Sequence, residues 1–167
     1  SGGESLLQPQ FFKELFRICK AEGIHTAIDT AGCMLGDDVK EALHYTDLVL
    51  LDVKCIDPDI HLTLTGKPLQ PTLDFADYLA KRRIPAWVRY VLVPGYTDRD
   101  DLIEKHAAFV AGLNNVEKVE ILPFHKMGSI KYELLGMEYP LKDTEPPSQE
   151  RVENAKRIYR SRGIKVN

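Results

Sequence analysis

Segments with a helical apolar period alternate with short β-branched runs along the whole chain, and this alternation narrows the possible folds more than any other feature. In "LLQPQFFKELFRICKAEG", Phe12, Leu15, Phe16 and Cys19 recur at helical spacing, Pro9 suits a first turn and Gly23 a C-terminal stop. "IHTAIDT" (24–30) follows as a strand that ends in polar residues, then a helix around 38–45 and the nearly continuous apolar run "LVLLDVK" (48–54). Asp57, Pro58 and Gly66 frame a short helix, and "PTLDFADYLAKRR" forms a longer one. The strands "AWVRYVLV" and "VEKVEILPF" flank a helix near 98–113, and Ser148 caps a last helix reaching Arg162, with "IKV" as a short edge strand. Residues 125–147 show no clean period and carry several glycines and prolines, so they read as loop.

Such alternation makes an α/β fold with a parallel sheet and right-handed crossovers. Two architectures satisfy it: an open doubly wound sheet, and part of a (β/α) barrel. A complete eight-stranded barrel takes about 250 residues, so four or five strands in 167 residues cannot close one. That length, with 44% hydrophobic and 28% charged residues, fits one domain over 1–167. A net charge of −3 offers no bulk attraction to nucleic acid or an anionic membrane, and no apolar run approaches the length that spans a bilayer. The chain reads as cytoplasmic, with small molecules or proteins as partners. Cys19, Cys33 and Cys55 match no zinc or iron–sulfur spacing and are expected to be reduced thiols rather than metal ligands.

Every main helix except the first is preceded by a strand; the first follows only "SGGES". The expectation is a chain truncated at its N-terminus, starting at the turn after an absent strand. Glycines there let backbone N–H groups approach a ligand beside a helix N-terminus.

In parallel folds the ligand site lies along the C-terminal edge of the strands. The polar residues that collect there are Gly2, Gly3 and Glu4, Asp29 and Thr30, Asp52 and Lys54, and His125. Arg89, inside an apolar strand, needs a carboxylate partner or a ligand. Each has an ordinary reading: a surface turn, a cap, an ion pair, an exposed loop histidine. Their coincidence on one edge over successive βα units favours a site. Two nearby aspartates repel unless a cation lies between them, and a ligand ammonium, Lys54 or a bound metal ion near Asp29 and Asp52 would serve. The set suits an amino-acid-like ligand.

The stretches "SGGE", "GIHTAIDTAG", "TDLVLLDVK", "WVRYVLVPG" and "NVEKVEILPFHKMG", continuing through "KYELLGMEYPL", resemble the C-terminal two-thirds of the glycyl-radical-enzyme activases. The likeness is to the activating enzymes of pyruvate formate-lyase, in the radical S-adenosylmethionine superfamily. The resemblance implies a partial barrel of that type, truncated before its first strand or strands and its cluster loop. It implies that Gly2, Gly3 and Glu4 contact the amino group of S-adenosylmethionine, that Asp29, Thr30, Asp52 and Lys54 surround its methionyl part, that His125 lies near its adenosyl part, and that Arg89 is a catalytic-site arginine. It also implies a parent enzyme that reductively cleaves S-adenosylmethionine at a [4Fe-4S] cluster. The radical so formed takes a hydrogen atom from a glycine of pyruvate formate-lyase or a related lyase, with an electron donor such as flavodoxin.

The CxxxCxxC motif that holds the cluster in that family is absent here, and Ser5 stands where the family commonly has Pro or Ala. The chain by itself is therefore expected to bind no cluster and to be inactive. A non-catalytic binding module and a Schiff-base, aldolase-like barrel acting through Lys54 are the competing readings; an ion pair of Lys54 with Asp52 speaks against the latter. Loss of the preceding strands would leave an apolar sheet edge beside 24–30, and self-association through that edge is the further expectation.

Overall fold

The computed structural model describes residues 3–167, so Gly2 lies outside the described residues. Four parallel strands, β1 (Ala27–Thr30), β2 (Leu48–Asp52), β3 (Ala86–Leu92) and β4 (Val116–Pro123), pair in the order β1-β2-β3-β4. This order decides between the two architectures. A doubly wound sheet reverses direction at a switch point, whereas unbroken +1 steps with right-handed crossovers keep every helix on one face, as in a barrel wall. The helices are α1 (Pro9–Ala21), α2 (Asp37–Leu43), α3 (Pro58–Thr65), α4 (Gln70–Arg82), α5 (Asp100–Ala111), α6 (Ser129–Leu134) and α7 (Gln149–Ser161).

Caps behave as their residues require. Asp57 Oδ1 accepts from the N–H groups of Asp59 and Ile60 (3.1 Å each), Gly66 closes α3 at φ +67°, and the Ser148 hydroxyl accepts from Arg151 N–H to start α7. The strands sort their side chains by a period of two. Ile28, Val49, Leu51, Val88, Tyr90, Val119 and Ile121 point into the core beneath the helices. Asp29, Asp52, Arg89 and Glu120 are left on the other face.

Three expectations change. β1 starts at Ala27 rather than Ile24, because Thr26 turns its amide (2.9 Å) and hydroxyl (3.1 Å) to Asp47 Oδ2 instead of the ladder, while Ile24 stays exposed. Lys20 and these Thr26 bonds hold the Asp47 carboxyl down at about 2. Within 125–147, read as loop, lie a 3₁₀ turn (Lys126–Gly128) and α6. "IKV" contributes a single parallel bridge, Val119 to Val166, and with Asn167 covers part of the β4 edge: Asn167 Oδ1 accepts from Ile121 N–H at 3.2 Å.

The loop after β1 is built tightly against the core. Thr72 donates to the Ala31 carbonyl (2.9 Å), and Gly32 adopts φ +64° where a Cβ would lie 2.8 Å from Leu51 and 3.0 Å from Phe75. Gly32→Ala combines a left-handed alanine with overpacking, and is expected to cost about 2 kcal/mol. The check is a lower urea midpoint at unchanged slope.

Candidate functional site

An open groove of about 700 Å³ follows the free edge of β1 from Ala27 to Ala31, bounded by the start of α1, and reaches Asp52 and Arg89 on the face away from the helices. Gly3, Glu4, Asp29, Thr30, Asp52 and Arg89, all expected from the sequence, line it together with Ser5, Gln8, Phe11 and Phe12. Lys54 is not in its lining but meets it through Asp52. His125 stands apart past the end of β4, exposed, with Nδ1 accepting from Met127 N–H at 3.4 Å.

Parallel register puts Asp52, Arg89 and Glu120 in one row across β2, β3 and β4. Arg89 reaches over β2 to Asp29 (2.5 Å) and sideways to Glu120 (3.5 Å), so the carboxylate partner its position demanded is present twice. Burial works against its charge, but the Asp29 hydrogen bond and the Asp29, Asp52 and Glu120 carboxylates outweigh that and raise its pKa. Lys54 pairs with Asp52 (2.6 Å) and Lys118 with Glu120 (2.8 Å), and the Lys118 ammonium sits 3.5 Å from the centre of the Trp87 ring. Asp29 and Asp52 thus each pair with a cation of this chain, and a ligand ammonium there shares them with Arg89 and Lys54.

Glu4 is fully engaged. Its Oε1 accepts from Leu6 N–H (3.0 Å) and the Thr30 hydroxyl (2.7 Å), and its Oε2 from Ala31 N–H (2.9 Å). The Ser5 hydroxyl donates to the Asp29 carbonyl (2.8 Å), so the turn after Gly3 is tied to the end of β1 at both residues. Thr30 is buried, its proton given to Glu4 while its oxygen accepts from Gly32 N–H (2.9 Å). Gly3 has φ +79°, and nothing lies within 4 Å of where a Cβ would be, so its backbone faces open space.

Glu120, Lys118 and Trp87 escaped the sequence reading, as did Phe11 and Phe12. The signal for the first two was the spacing Lys118-x-Glu120, which shares strand parity with Arg89 once the register is known. For the cluster the fit fails: among the described residues no three His, Cys, Asp or Glu side chains are grouped to hold a metal ion, and Cys19, Cys33 and Cys55 sit as free thiols on separate elements. For S-adenosylmethionine it holds, since the groove offers carboxylates toward an ammonium or sulfonium and a guanidinium toward a carboxylate.

This fold and charge set define a class, and comparison with known proteins agrees: the Radical SAM superfamily profile matches residues 1–107, and the chain belongs to that superfamily. Its relatives there are activating enzymes. It is 44% identical over 168 residues to the pyruvate formate-lyase 1-activating enzyme of Escherichia coli K12, covering 99% of this chain and 68% of that protein. It is 48% identical over 172 residues to the pyruvate formate-lyase-activating enzyme of Staphylococcus aureus USA300, covering 98% and 67%. The crystal structure of a domain of the Bacteroides vulgatus pyruvate-formate lyase-activating enzyme superposes with a TM-score of 0.83 at 27% identity, covering all of this chain and 94% of that one.

Proposed function

We propose that this chain is the S-adenosylmethionine-holding portion of a glycyl-radical-enzyme activase, with residues 1–167 acting as one domain. The observation that carries the reading is the convergence of Gly3, Glu4, Asp29, Asp52 and Arg89 from separate elements on one groove. Asp29 and Asp52 receive the methionyl ammonium, Arg89 its carboxylate, and the Gly3 backbone, with Gly2 before it, a polar edge of the ligand; Glu4 and Thr30 fix that edge. Bound S-adenosylmethionine supplies the superfamily's hydrogen-abstracting chemistry when a [4Fe-4S] cluster reduces it. The chain's own residues bind, orient and keep ion pairs in place around it. Lys54 holds Asp52, and His125 closes the far side of the strand ends toward the adenosyl group.

The names of the relatives support pyruvate formate-lyase, or a related glycyl radical enzyme, as partner; an electron donor such as flavodoxin completes the proposal. Three free thiols suit a reducing compartment, the cytoplasm. The unpaired β1 edge, with Leu7, Phe11, Leu15 and Ile18 exposed beside it, supports self-association of the chain as given.

Isothermal titration of S-adenosylmethionine into the chain tests the reading. Saturable binding is expected, weakened about tenfold in Arg89→Ala, the loss of one charge-assisted contact. Circular dichroism confirms that the variant is folded. No heat up to millimolar ligand, or equal affinity in the folded variant, overturns it.

A further inference from the structure

Eleven large hydrophobic side chains are exposed among the described residues, and ten of them fall into two patches at opposite edges of the sheet. Leu7, Phe11, Leu15, Ile18 and Ile24 lie on or beside α1, at the β1 edge. The relatives' additional third precedes the matched region. In a sheet that advances by +1 steps, the strands that precede the matched region in those relatives would add next to β1, beside that patch. The second patch lies away from that edge. Met127, Ile130, Leu134, Leu135 and Met137, each 56 to 81% exposed, occupy eleven consecutive residues following β4, at the opposite edge.

We propose that this segment, residues 126–145, is the docking surface for the glycyl-radical-enzyme partner, a deduction that rests on the functional reading above. α6 contributes no buried residue, so its apolar side chains do not serve the chain's own core. The segment is nevertheless ordered by its own contacts: the Tyr132 and Tyr139 rings meet at a tilt of 57° with centres 5.1 Å apart, Lys126 pairs with Glu145 (2.8 Å) and Lys142 with Glu138 (2.6 Å). The result is an apolar centre with a paired, polar rim, the anatomy of a protein interface. Two methionines give it a surface that adapts to a shaped partner.

Charge selects the class of occupant. Residues 125–147 carry three lysines against four acids, net −1, which neither attracts phosphate backbones nor anionic lipid headgroups. A folded protein with an apolar face fits. Position selects the partner: the segment follows the C-terminal end of β4, on the same end of the parallel sheet as Asp29 and Asp52, so a protein seated there can extend polypeptide across the strand ends toward the groove. A patch of this size, with contiguous side chains this exposed, is rare on a surface without a role.

The test is biolayer interferometry of the full chain against purified pyruvate formate-lyase, with the double variant Leu134→Asp/Leu135→Ser and the control Leu15→Ser/Ile18→Ser, exposed on α1 outside the groove lining, on the β1 side. Both sites are exposed, so folding is preserved and is checked by circular dichroism. The expected result is at least a tenfold loss of affinity in the first variant, little change in the control, and unchanged S-adenosylmethionine titration in both. Equal lyase binding by the first variant overturns the docking surface and leaves the functional reading standing. So does an unaltered chain that binds S-adenosylmethionine and not the lyase. A first variant that instead turns a dimer of this chain into a monomer on light scattering also overturns it, assigning the patch to a second copy. Loss of S-adenosylmethionine binding in the unaltered chain strikes the functional reading itself.

Discussion

Below about pH 6.5 the protein is expected to lose stability along a slope set largely by His106. This side chain is fully buried on the inner face of α5, with the Tyr159 hydroxyl 2.7 Å from Nδ1 and the Tyr90 ring 4.6 Å away centre to centre. Its Nε2 faces the backbone of Val53 without a well-formed hydrogen bond. Burial pushes its pKa from 6.5 down to about 3. Above pH 6.5 neither the folded nor the unfolded chain protonates it, and it imposes no penalty. Between 6.5 and 3 the unfolded chain takes up a proton that the native core refuses, so stability falls by about 1.4 kcal/mol per pH unit. Across the window this reaches about 4 kcal/mol, a large share of a usual domain stability of roughly 5–15 kcal/mol. His61, its pKa also lowered by burial, adds in the same direction. Urea unfolding at pH 7, 6, 5 and 4 reads the effect. His106→Asn keeps an acceptor for Tyr159 and does not titrate, so it should be less stable at pH 7 yet lose less on acidification. Parallel curves for the two proteins would sink the idea.

Local chemistry made most of the elements legible. Asp57, Gly66 and Ser148 do what their side chains or lack of one dictate, wherever tertiary context does not interfere. Where the structure departs, a long-range partner is responsible. Nothing near Thr26 announces Asp47, 21 residues on, which takes its amide out of the ladder. α4 ends at Arg83 in a left-handed turn (φ 54°) that no glycine marks. α6 gave no period because it buries nothing, and periodicity is visible only in helices that pack. Strand order is silent in any strand's own sequence; it came from the resemblance.

For the site, polar strand ends told where to look but not which way side chains point. Asp29 and Thr30 are neighbours on a strand, so they face opposite sides: Asp29 toward Arg89, Thr30 inward toward Glu4. The Glu120 link to Arg89 depends on the register between β3 and β4, which includes an irregularity between Ala86 and Trp87. No count along the sequence supplies that.

Glu4→Ala is expected to be the most damaging substitution in the groove, and through stability before chemistry. Three donors converge on this carboxylate, and removing it strands the Leu6 and Ala31 N–H groups and the buried Thr30 hydroxyl. At about 1 kcal/mol for each bond to a partly exposed charged group, the loss is about 3 kcal/mol. Glu4→Gln separates charge from shape. Its amide oxygen can replace one carboxylate oxygen, but the NH₂ group then confronts at least one N–H or O–H donor, for a cost of about 1–2 kcal/mol. Urea midpoints should therefore rank unaltered chain, Glu4→Gln, Glu4→Ala, and S-adenosylmethionine affinity should fall in the same order, because the Gly3 backbone and the Asp29 carbonyl held by Ser5 lose their anchor together. If Glu4→Ala unfolds with the unaltered chain but binds ligand poorly, the carboxylate acts on the ligand directly. If it unfolds early and its folded fraction binds normally, Glu4 belongs to the fold alone. The ranked, coupled loss is what a positioning residue produces: a charge spent on three internal donors so that the backbone around it meets the ligand in one conformation.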